Sequence, residues 1–140
     1  MNLKSYIDSG KLKHIEPKND QVKRLLKRAQ KDISTAEHTL GIDDEWAYTI
    51  AFHSMLRAGR ALLLHNGYRV SGEGQHKTVV EVSGILLGEN FSELTDKFNR
   101  MRRTRSDFIY DYIELSLEES KVAIKNAKEL ILKIEKKTIK

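Results

Sequence analysis

"WAYTIAFHSMLRAGRALLLHNG", residues 46–67, decides the fold. Wound at about 100° per residue, it is apolar on nearly every side, so the helix it predicts must be central, with other helices around it. Ala47, Ala51, Ser54, Ala58 and Ala61 form a flank of small residues that lets a second helix come close, while Trp46, Ile50, Phe52, Leu56 and Leu63 supply bulk. The acidic "IDDE" just before it, residues 42–45, suits a helix start, and Gly67 suits its end.

Toward the N-terminus, Val22, Leu26, Ala29, Ile33, Ala36 and Leu40 recur at alternating four- and three-residue intervals, an amphipathic helix closed by Gly41. Pro17 and then Asn19 or Asp20 mark its beginning. Toward the C-terminus, "GYRVSGEGQHK" (67–77) is expected to be a mobile loop. "HKTVVEVSGILLG" (76–88) favours a short helix, with its valines leaving a strand open. Residues 89–115 follow as a long helix and 116–137 as another, with Ala123, Ala127, Leu130 and Ile134 facing inward and Ser116 and Glu119 spaced as a capping box. The expectation is an all-α protein, an antiparallel up-and-down bundle of four or five helices. It forms one domain over residues 1–140, with 1–16 as a lead-in and the lysine-rich 136–140 as a fraying tail.

Composition narrows the chemistry. The formal charge of +5 and pI near 9.4 incline the chain toward polyanions. The absence of cysteine excludes disulfides, thiolate metal sites and cysteine nucleophiles. "MNLKSYIDSG" lacks the apolar run of a signal peptide, and no window reaches the roughly 18 apolar residues of a membrane span, so a cytoplasmic protein with no membrane partner is expected. His14, His38 and His65 have no metal-ligand spacing with carboxylates, and "GEGQHK" lacks the phosphate-loop spacing, so neither metal nor cofactor is expected.

In "RMRRTRSDFIYDYIE", residues 100–114, four arginines crowd into the first six positions and the charge then reverses sign. On a helix, Met101, Arg105, Phe108 and Tyr112 share one side, and Arg103, Asp107, Tyr110 and Asp111 form the neighbouring stripe. Arg103 and Asp107 have the spacing of an ordinary surface pair worth a few tenths of a kcal/mol. That leaves Arg105, which shares an apolar stripe and must find a partner, line a groove or carry its head to water. Two smaller features stand beside it. His53, Arg57 and Arg60 fall on one side of the central helix, where His53 is expected to pack in the core. His76, beside Lys77, is positioned to head a helix and offer an anion pocket, against the alternative of a solvent-exposed turn.

The order and spacing of "SGKLKHIEP", "AYTIAFHSMLRAGRALLLHNGYR", "GEGQHKTVVE" and "RMRRTRSDFIYDY" resemble the HEPN superfamily over nearly the whole chain. These are small helical bundles of toxin–antitoxin systems, often found beside a minimal nucleotidyltransferase. The signature of active members is an arginine, four to six residues and a histidine; one toxin branch adds a tyrosine two residues later. The resemblance puts the arginine at Arg105, Tyr110 in the histidine's place, Asp111 next and Tyr112 as the final tyrosine.

It implies metal-independent RNA cleavage by attack of the ribose 2′-hydroxyl. Arg105 would oppose the phosphorane charge, and Arg100, Arg102, Arg103, His76 and Lys77 would contact RNA or another anion. Because a phenol near pKa 10 is a poor proton carrier at pH 7, activity is expected to be weak or absent while fold, dimer and groove survive. The partners implied are RNA, a second copy of the chain sharing its cleft, and a nucleotidyltransferase. The alternative function is a non-catalytic dimeric module that docks such an enzyme or holds a nucleotide.

Overall fold

In the computed structural model, which describes residues 2–111 and 114–139 and only the backbone of 108–111, Asp43 caps the central helix. Its carboxylate accepts the Trp46 amide at 2.9 Å, and α3 (Asp44–His65) runs from there to Asn66. Ala47, Ala51, Ser54, Ala58 and Ala61 are wholly buried, as are Phe52, Met55 and Leu56. All the other long helices pack on α3: α2 (Asn19–Thr39), α4 (Gln75–Leu87), α5 (Ser92–Asp111) and α6 (Leu117–Thr138). The expected all-α bundle is observed. Trp46 departs from expectation: it is 58% exposed, because it stands in the first turn of α3 beside the exposed Ile42 of the α2–α3 connection.

The flanking helices follow their sequence patterns. Val22, Leu26, Ala29, Ile33 and Ala36 of α2 are buried. The cap of that helix lies one residue earlier than expected: Lys18 occupies the position without a side-chain bond, and Asn19 and Asp20 sit in the first turn. Ser116 caps α6, its hydroxyl accepting the Glu119 amide at 3.1 Å, and Ser120 donates to the Asp44 carbonyl at 2.7 Å, tying the starts of α6 and α3 together. α6 continues through Thr138, which is buried and donates to the Ile134 carbonyl.

The valine-rich stretch forms α4, with Val79, Val80 and Val82 buried. Its closeness to its neighbours depends on two glycines. A Cβ on Gly59 of α3 would stand 2.6 Å from Val79 Cγ1 and 2.9 Å from Ser83 Oγ, and one on Gly84 would stand 2.6 Å from Thr95 Cγ2 of α5. No side chain fits either place unless the helices separate.

The N-terminal lead-in is itself structured. After the short helix α1 (Leu3–Asp8), β1 (Leu12–His14) pairs antiparallel with β2 (Tyr68–Val70), setting Leu12 opposite Val70. This corrects the expected loop at 67–77: its first part is a strand, and Ser71 is fastened to the lead-in, its amide donating to Lys11 and its hydroxyl to Gly10. Tyr6, Leu12, Leu63 and Val82 form a small core beneath. Burial first, and then the neighbouring Glu81 carboxylate, push the pKa of the Tyr6 hydroxyl up. Gly74, at φ +67°, then turns the chain into α4.

Candidate functional site

Arg105 is half-buried on α5, and its Nε is fully buried without a hydrogen-bond partner among the described residues. Around it the packing of α3, α4 and α5 gathers basic side chains distant in sequence. α3 contributes His53, Arg57 and Arg60, at the i, i+4, i+7 spacing of one helix face. α4 contributes His76, its second residue, and α5 adds Arg102 one turn before Arg105. The two imidazoles stand edge to face with ring centroids 5.9 Å apart and planes at 89°. Both rest on Phe52, at 6.0 Å from His53 and 5.9 Å from His76. Phe52 is wholly buried and packs on Phe98 of α5, so the two imidazoles rest on a ring that belongs to the core.

The electrostatics follow from this crowding. Burial lowers the His53 pKa most, followed by the positive charge of Arg105 and of His76 when protonated, and then by Arg57 and Arg60. His76 is also lowered, by burial first and then by Arg60, Arg105 and Arg102. Both rings are therefore neutral at pH 7. Burial and Arg57 disfavour the charge on Arg60 as well, although a guanidinium stays protonated in any protein setting.

One carboxylate reaches the edge of this group. Asp32 of α2 pairs with Arg57 Nε at 2.8 Å and Arg28 Nε at 3.3 Å, the former an ion pair rather than an aligned hydrogen bond. Arg60 and Arg105 form no ion pair with a described carboxylate. Cations that are half-desolvated and unpaired are costly to hold together, and an anion in the cleft removes that cost. The donor set, guanidinium forks beside neutral imidazoles, suits a phosphate group.

The residues expected from sequence to share a site are only partly together. Arg105, Arg102 and His76 come together; Arg102 also donates from Nε to Asn99 at 3.2 Å. Arg100 does not join them. It is exposed and lines a separate groove of about 320 Å³ between α5 and α6 with Met101, Thr104, Glu119 and Val122. Arg103 and Lys77 are exposed, and no ion pair joins Arg103 to Asp107 among the described residues. Tyr110 and Asp111 are carried on the last turn of α5, their side chains outside the described part, and Tyr112 lies outside the described residues.

His53, for which a core or packing role was expected over a functional one, packs against Phe52 and His76 but stands half-exposed, with Arg57 and Arg60 on the same helix face. Their shared spacing on α3 was the available signal for the basic face. His76 and Arg105 were expected at one anion site, but no local pattern tied either of them to the α3 face of His53, Arg57 and Arg60.

A search among curated proteins returned no match. A family profile, the HEPN domain, matches residues 22–137, which takes in α2 through nearly all of α6 and the whole cleft, and leaves α1 and β1 outside. The chain belongs to the HEPN domain family.

Proposed function

We propose that the protein is RNA-directed and holds a phosphodiester of single-stranded RNA in the cleft at Arg105. The observation that carries this reading is the buried Arg105 Nε, without a partner among the described residues, near Arg60, His53 and His76, a group of donors with no described carboxylate among them. Net positive charge supports it, since polyphosphate affinity comes chiefly from neutralised phosphates. The motif is degenerate: tyrosine stands at 110 in the histidine's place, and its neighbours Asp111 and Tyr112 are secondary candidates for contact with substrate. A single helical domain acting as a cytoplasmic homodimer with facing Arg105 residues completes the proposal.

The test is RNA binding by fluorescence anisotropy across a salt series, wild type beside Arg105→Ala. The wild type should bind with a log–log salt slope of about −2 to −3, as expected for three or four phosphates on a single strand. Arg105→Ala should weaken binding by about tenfold or more. Equal affinity of the two proteins sinks the reading.

A second reading, a module that docks a nucleotidyltransferase, is favoured by a different feature. Exposed Ile42 and Trp46 at the start of α3 and exposed Leu117 and Val122 at the start of α6 leave apolar side chains at one end of the bundle, where Ser120 joins the two helices.

A further inference from the structure

Position 110 is five residues beyond Arg105, and side chains so spaced on an ideal helix point about 140° apart. A histidine there would not face the Arg105 stripe of its own chain. His53 on α3 and His76 on α4 lie near enough to Arg105 for its charge to bear on both rings, within one copy of the protein. We propose that His53 and His76 are the proton-transfer pair of an RNA transesterification in this cleft, replacing the histidine absent from position 110. The proposal rests on the RNA reading above.

The geometry suits the task. The two rings belong to different helices, so their separation is set by the glycine-dependent approach of α4 to α3. They share the rigid floor of Phe52. Neither ring forms an ion pair with a described side chain, so no carboxylate holds either imidazole in its charged form.

The reaction balances without a further reactant. One imidazole, neutral, takes the proton of the ribose 2′-hydroxyl as its oxygen bonds to the adjacent phosphorus. The other, protonated, gives its proton to the 5′-oxygen as the P–O5′ bond breaks. The products are a 2′,3′-cyclic phosphate and a 5′-hydroxyl end. The imidazoles exchange protonation states and are reset by water. Arg105 and Arg60 oppose the charge gathered on the phosphorane oxygens.

The surroundings set the working pH. His53 faces Arg57 and Arg60 on its own helix, His76 on α4 and Arg105 on α5, while His76 faces Arg60, Arg105 and Arg102. Asp32 on α2 bears on the group only through Arg57. Burial and these cations act together against protonation, so the rate should follow a bell whose maximum lies on the acidic side of about pH 6.5.

The experiment measures both RNA binding and the appearance of cyclic-phosphate ends, in excess EDTA, between about pH 5 and pH 8. It compares wild type, His53→Gln, His76→Gln and Arg105→Ala, each checked for folding by circular dichroism. Each histidine variant should cleave about 10²–10⁴-fold more slowly and lose one limb of the bell, while still binding RNA more tightly than Arg105→Ala. Wild type that binds through Arg105 but leaves no cyclic-phosphate ends overturns the pair and spares the RNA reading; so do histidine variants that cleave at the wild-type rate. Absence of binding overturns both. An independent readout uses unmodified protein: in a ring-proton NMR titration, inorganic phosphate should raise the pKa of both histidines, and unmoved values count against the pair.

Discussion

Arg105 shows most plainly how function and stability oppose each other in this protein. Its guanidinium is half-desolvated, its Nε is buried without a described partner, and its charge bears on both cleft histidines. Replacing it with methionine keeps much of the packing of the long stem and removes an uncompensated charge. Arg105→Met should therefore raise stability by about 1 kcal/mol, a gain of about 3–4 °C in Tm, while RNA binding is lost. Thermal unfolding followed by circular dichroism checks it; a fall in Tm would mean that Arg105 has a structural partner. Arg57 is the contrasting case, since Asp32 holds its Nε at 2.8 Å and much of its charge is answered within the fold.

Among the elements, α4 decides whether a cleft exists. The sequence left helix and strand both open for residues 76–88, and packing resolved the matter. Val79 and Ser83, four residues apart, both face Gly59, a juxtaposition that a helix provides and an extended strand does not. Gly59→Ala forces a methyl group toward Val79 Cγ1 and Ser83 Oγ, so α4 must move away from α3. The expected cost is about 1–3 kcal/mol by denaturant unfolding, together with a shift of the His76 ring resonances. A variant as stable as wild type would show that the helix pair yields easily and that His76 is not held by it. The other restraint on α4 is the lead-in: β1 pairs with β2, and Ser71 is bound to Gly10 and Lys11 just before the helix begins. No short window of sequence shows this, because the strands are three residues each and their partners are far apart in the chain.

At the scale of the whole molecule, the cleft makes stability depend on pH. His53 and His76 have folded-state pKa values below the ordinary imidazole value. The unfolded chain therefore binds more protons than the folded one in the window just below about pH 6.5, and stability falls as pH falls through it. Above that window the contribution of the neutral pair is fully present. Tm should be higher at about pH 7.5 than at about pH 5.5, and the His53→Gln, His76→Gln double variant should show a flatter dependence. Equal slopes for the two proteins would place the pH response elsewhere in the chain.

The amino-acid sequence alone settled the helices, because amphipathic periodicity and caps are local: Asp43 and Ser116 begin α3 and α6 through bonds to residues three positions away. It also determined that α3 is central, since a helix apolar on nearly every side has no stable place at a surface. Arg105 was legible as an arginine on an apolar stripe, but its company was not. His53, Arg60 and His76 lie on other helices, and their meeting depends on how closely α3, α4 and α5 approach at Gly59 and Gly84. That approach is a property of packed volumes, which local sequence patterns do not encode; it gathers basic residues of three helices into one cluster.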